Sequence, residues 1–154
     1  MKDAPAAAAS IPVATARRFS GGWLDYIDLT KPRLNALVVA SSAAGYYLGT
    51  QAARDLPVAA GLGTLRVTSG IDAGLMAQAV IGTALVAGGA AVLNQVYERR
   101  TDALMRRTRL RPLPDGRIAP ADARTFGVLL SASGLLILAT RANWLAASLA
   151  LLTL

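Results

Sequence analysis

Cysteine and histidine are both absent from this chain of 154 residues. Their absence excludes disulfides, a thiol nucleophile and a zinc site of the usual kind. It also removes imidazole as an acid–base group or haem ligand. Charge is scarce too. Asp, Glu, Lys and Arg make up 16% of residues, against about 25% in soluble domains. Hydrophobic residues reach 54% and mean hydropathy is +0.44, which points to the membrane class before any motif is read. The chemistry that remains must use carboxylates, amides, hydroxyls, arginines and a metal held by oxygen.

The net charge is +7. In a soluble protein that would suggest nucleic acid. Here the arginines sit between apolar stretches, so they read as topology signals and no nucleic-acid partner is expected. Residues 1–20 are rich in Ala and Pro and are expected to be mobile. Their alanines are too weakly apolar, and too interrupted by Pro5 and Pro12, for a signal-peptide core; Asp3 fits a mitochondrial presequence poorly. Gly21–Leu34 carries Trp23 and Tyr26 among acidic residues and reads as interfacial. Thr30, before Lys31-Pro32, is the expected cap of the first long helix.

The expected architecture is all-α, a polytopic transmembrane helical bundle with three full spans and the start of a fourth. The spans are placed at about 34–50, 74–97 and 125–140, with 144–154 incomplete. Residues 51–71 are expected to form a loop, and Asp72 to cap the second span. The small pairs Ala84/Gly88 and Ala87/Ala91 allow close helix packing. The last apolar run covers only about 16 Å, roughly half a bilayer core, so the chain reads as the front part of a longer protein. Lys2, Arg17, Arg18, Lys31 and Arg33 precede the first span, and eight arginines lie in Arg99–Arg124. Both regions should therefore face the cytoplasm, or the matrix of a mitochondrion.

Residues 94–114 read NQVYERRTDALMRRTRLRPLP. Asn94, Glu98 and Asp102 are spaced four apart, so a continuing helix puts their oxygens along one face, drifting about 40° per step. Such a row suits Mg²⁺, which takes one or two carboxylates with phosphate oxygens and water. Arginines beyond it could grip the same phosphates with forked donors. Spacing leaves a second reading open, a solvated helix end flanked by topology charges. A membrane fragment binding anionic lipid is a further alternative. Asn94 favours function, because an amide at the end of an uncharged run needs a partner.

The same stretch resembles the first aspartate-rich motif of the UbiA prenyltransferase superfamily. Asn, Glu and Asp four apart, followed by D-x-x-M-x-R-T-x-x-R-P-L-P, are similar to its protohaem IX farnesyltransferase (haem O synthase) branch. Upstream, LTKPRL resembles the start of that family's first helix. The resemblance implies that Asn94, Glu98 and Asp102 bind Mg²⁺ with farnesyl diphosphate. Arg107 and Arg111 would grip the diphosphate, and Lys31 and Arg33 match the first helix's basic pair. Arg99, Arg100, Arg106 and Arg109 fall on variable places and are expected to serve topology; Tyr97 and Met105 are expected to pack. Haem b is implied as substrate, with membrane lipid and haem A synthase as partners, in a bacterial inner membrane or alternatively a mitochondrial one. Quinone or chlorophyll-precursor acceptors belong to sibling enzymes. The family also has a second aspartate-rich motif. Nothing after Arg111 matches it, and Asp115 and Asp122 have the wrong spacing, so the chain alone is expected to be inactive.

Overall fold

The computed structural model describes residues 21–55 and 72–154. The N-terminal segment 1–20 and positions 56–71 of the expected loop lie outside the described residues. Among the described residues there are five α-helices and no strand. They are α1 (Trp23–Leu29), α2 (Pro32–Asp55), α3 (Ala73–Leu104), α4 (Pro120–Ile137) and α5 (Trp144–Leu152). A π-helical turn, Leu138–Ala142, joins α4 to α5. The architecture is an all-α bundle.

Each long helix outruns its uncharged stretch. α2 continues through Gln51-Ala52-Ala53-Arg54-Asp55, mostly good helix formers. α3 continues through Glu98 and Asp102 to Leu104, and α4 begins at Pro120, a favoured first-turn residue. Hydropathy marks where lipid is tolerated, whereas propensity and caps decide where a helix stops. Asp72 caps α3 as expected, accepting from the amides of Gly74 and Leu75 at 2.9 and 3.0 Å. Asn143 caps α5 through the Ala146 amide at 2.6 Å.

Thr30 plays a different part from the expected one. It is the C-cap of α1, and its hydroxyl donates to the Ile27 carbonyl at 2.7 Å. Lys31 opens α2 instead: its carbonyl accepts from the Leu34 and Asn35 amides, both at 3.0 Å. Lys31 has a φ of 50°, a left-handed conformation that costs a residue with a β-carbon about 1–2 kcal/mol. Pro32 disfavours the right-handed helical region for the residue before it, which helps explain why the break falls there.

α3 is the axis of the bundle, packing against α1, α2, α4 and the π turn. Its approach to α4 is set by glycines. A β-carbon on Gly89 would lie 2.8 Å from both the Gly127 carbonyl oxygen and the Ser131 amide nitrogen; one on Gly134 would lie 2.7 Å from the Gly82 carbonyl oxygen. Only hydrogen fits such backbone contacts, and dispersion across them is what holds helices together in lipid. On the α2 side, Asn35 donates to the Ala84 carbonyl at 3.1 Å, one turn before Gly88. The Ala84/Gly88 pair thus marks a helix contact.

Two apolar clusters fill the ends. Leu29, Val92, Val96, Leu113, Ile118 and Ala123 form one, edged by Tyr26 and Phe126 in an edge-to-face pair. Val86, Leu138 and Ala147 form the other. α3 and α4 with its π turn (Pro120–Ala142) are long and apolar enough to cross a membrane. α2 has a comparable length, about 36 Å, but Ser41, Ser42, Tyr46 and Tyr47 make it less apolar. Leucines such as Leu37, Leu48, Leu129 and Leu136 stand exposed on the outside, as a hydrocarbon surround allows.

Candidate functional site

The expected row lies on α3, but its three members have different surroundings. Asn94 and Glu98 are exposed, while Asp102 is buried at 3% exposure. The drift of about 40° per step explains this. Two steps turn Asp102 about 80° from Asn94, to the side where Gln95 meets α1. Glu98 has no ion-pair partner among the described residues.

The segment after α3, residues 105–119, folds back in hydrogen-bonded turns. Gly116 takes a φ of 76° and donates its amide to the Leu113 carbonyl at 3.1 Å. The turns before Gly116, closed by the Thr108 and Arg109 amides on the Met105 carbonyl, bring Arg111 to Asp102, with Nη1 2.8 Å from Oδ2. The Thr108 hydroxyl donates to the Asp102 carbonyl at 2.8 Å. Asp102 and Arg111, to which the resemblance gave separate roles toward metal and diphosphate, are thus paired with each other. Arg107 stands exposed one turn earlier. Replacing Arg111 by Met should leave Asp102 as a buried, unpaired carboxylate. Breaking a buried pair costs about 3–5 kcal/mol; with Arg111 about a third exposed, a loss of roughly 2–3 kcal/mol is expected. A lowered melting temperature in detergent, largely restored by adding Asp102→Leu, would verify it.

Arg117, grouped by sequence with the topology arginines, is structural. It pairs with Asp25 of α1 and with Asp115 at 3.2 Å, and donates to the Leu110 carbonyl at 3.1 Å. It ties the folded-back segment to α1. Gln95 is buried and donates its amide to the Leu29 carbonyl at 2.8 Å. Sequence reasoning missed Gln95, although the signal that singled out Asn94, an amide within an uncharged run, applied equally to it. Through Gln95, the α1–α2 junction bearing Lys31 and Arg33 lies against α3 near Asn94. Thr30 also meets this helix beside Gly88. Lys31 is half-buried and Arg33 exposed. The expected packing residues Tyr97 and Met105 are exposed, at 89% and 47%.

Between α2, α3 and α5 runs an apolar groove of about 530 Å³. Thr83, Ala87 and Ala90 line it from α3, facing Val38 of α2 and Leu149 of α5. One turn beyond Ala90 on the same face come Asn94 and then Glu98. An apolar groove followed along one helix face by an amide and a carboxylate suits an amphiphile with a polar head.

The sequence profile of the UbiA prenyltransferase family matches residues 56–154. The chain belongs to that family. As a UbiA family member it is a helical membrane protein. It is 40% identical over 133 residues to protoheme IX farnesyltransferase 1 of Pseudomonas entomophila (strain L48), covering 86% of this chain and 39% of that protein. Similarity to protoheme IX farnesyltransferase of Solibacter usitatus (strain Ellin6076) is 42% over 130 residues, 84% of this chain and 42% of the relative. The corresponding protein of Stutzerimonas stutzeri (strain A1501) is 38% identical over 138 residues, 90% of this chain and 40% of the relative. The chain therefore spans about two fifths of the length of these UbiA relatives. No solved structure matches it.

Proposed function

We propose that these helices serve a farnesyltransferase, which moves the farnesyl group of farnesyl diphosphate onto the vinyl group of haem b and so produces haem O. The observation that carries this reading is one unbroken face of α3. Its apolar part, Thr83, Ala87 and Ala90, lines the groove; its polar part, Asn94 and Glu98, follows directly. A prenyl chain suits the first and a diphosphate the second. The names of the similar proteins support the same substrates.

Mg²⁺ fits the donor set. The available groups are all oxygen donors: the Glu98 carboxylate, without an ion-pair partner among the described residues, the Asn94 amide, and Asp102 with one oxygen held by Arg111. One or two carboxylates suffice when phosphate oxygens fill the other positions. Bound there, the ion would withdraw charge from the departing diphosphate. Arg107 and Arg111 would hold diphosphate oxygens, with Lys31 and Arg33 reaching in from the α1–α2 junction. As the allylic C–O bond breaks, its electron pair leaves with the diphosphate and the vinyl group's electron pair attacks the freed carbon; water then adds to the cation left on the vinyl carbon and loses a proton to solvent, leaving a hydroxyl. Apolar walls along the groove would keep water from reaching the allylic carbon first. We place the protein in a bacterial plasma membrane with residues 99–124 on the cytoplasmic side, and infer haem A synthase as the enzyme that takes up the product.

Calorimetry on the complete gene product tests this. Farnesyl diphosphate should bind with Mg²⁺ present and fail to bind in EDTA, and haem b should gain the mass of one farnesyl group plus one hydroxyl group. Binding indifferent to EDTA, or alkylation of a quinone instead of haem b, would overturn the proposal.

A further inference from the structure

On the opposite side of α3 from the groove just described, a second cavity of about 510 Å³ lies between α3 and α4. Leu93 and Val96 of α3 and Val128 of α4 form its apolar floor, with Tyr97 standing at its side. Arg99, Arg100 and Arg124 edge it at the end where α3 runs out and α4 begins. None of these three arginines pairs with a carboxylate among the described residues; the ion pairs there use Arg111 and Arg117. Three cations thus converge on one cavity, above carbon-only side chains that lie one to two turns deeper along the same helices.

The geometry points to a binding site for one anionic glycerophospholipid of the surrounding bilayer. Its phosphate would sit among Arg99, Arg100 and Arg124, with an acyl chain over Leu93, Val96 and Val128. Charge complementarity decides the class of occupant. A zwitterionic headgroup carries its own cation and would bring that cation among three guanidiniums, whereas an anionic one brings only negative charge. Guanidiniums are suited to the role because their forked donors match phosphate oxygens. The cavity's order, charge at the rim and hydrocarbon inside, matches the order of groups in a lipid lying along the helices. This also assigns Arg99 and Arg100 a task more specific than orientation in the membrane.

Native mass spectrometry on the complete gene product in detergent tests the assignment, titrating phosphatidylglycerol or phosphatidylcholine. One phosphatidylglycerol should be retained in preference to phosphatidylcholine. Joint Arg100→Gln and Arg124→Gln substitution should weaken that retention roughly tenfold to thirtyfold, given about a fivefold or smaller effect per basic residue near a membrane surface. Both side chains are exposed, so the melting temperature should not move. Arg106→Gln with Arg109→Gln removes the same charge outside the cavity and should leave retention within about twofold. Equal losses in the two double variants would overturn the site, because net charge would then account for them. So would the absence of any lipid preference. Displacement of the lipid by farnesyl diphosphate would overturn it as well, by giving this cavity to the substrate; that outcome is separate from failure of the proposed function.

Discussion

Glu98→Gln in the complete gene product should lower farnesyl transfer about 100-fold or more while leaving the melting temperature unchanged. The size follows from removing one electrostatic contributor at the point where charge develops, typically worth about 10²–10³ in rate. Stability should hold because Glu98 is exposed and forms no ion pair among the described residues, so nothing in the described fold depends on its charge. The isosteric amide keeps the volume and removes only the anion. Turnover measured across a Mg²⁺ titration separates the cases. A loss that high Mg²⁺ partly reverses supports a metal-holding role. Full activity in the variant would remove Glu98 from the site and leave the row on α3 as a solvated helix end.

Gly89→Ala should destabilise the protein by about 1–3 kcal/mol, and Gly89→Leu should abolish the folded yield. The new β-carbon would meet Ser131 Oγ, which can rotate away. It would also lie 2.8 Å from the Gly127 carbonyl oxygen and the Ser131 amide nitrogen, which cannot. The two helices would have to separate, losing close contact along the whole α3–α4 seam. Gly45→Ala on α2 is the matched control. Nothing lies within 4 Å of its added carbon, so ordinary helix propensity should make it neutral or mildly stabilising, by roughly 0.5–1 kcal/mol. Thermal melts of Gly89→Ala and Gly45→Ala in one detergent, with the folded yield of Gly89→Leu, read the contrast. Equal melting for Gly89→Ala and the unchanged protein would mean that the seam is looser than these distances.

The helical class and the long central helix were legible because lipid imposes long uncharged runs. The Asn94–Glu98–Asp102 spacing was legible as a row because periodicity needs only one helix. What the spacing did not carry was the burial of Asp102. That depends on the turns after α3, in which the Thr108 and Arg109 amides donate to the Met105 carbonyl, delivering Arg111 to Asp102, an event beyond the helix that carries the row. The tie of Arg117 to α1 was not legible for a similar reason: Asp25, its partner, lies 92 positions away. Tyr97 was expected to pack because tyrosine in an apolar run usually does, but in a membrane protein the apolar side of a helix can equally face lipid. The capping role of Thr30 went to its neighbour because Pro32 constrains the residue before it.

The amide of Gln95 has one more consequence. A straight helix packed only through small, smooth side chains can roll about its own axis with little penalty. A directional bond to the Leu29 carbonyl acts as a key in a shaft and fixes the azimuth of α3. Adjacent residues differ by about 100°, so fixing Gln95 also fixes where Asn94 and Glu98 aim. Loosening that key would swing both oxygens sideways as a rigid unit, misaligning them without altering either residue.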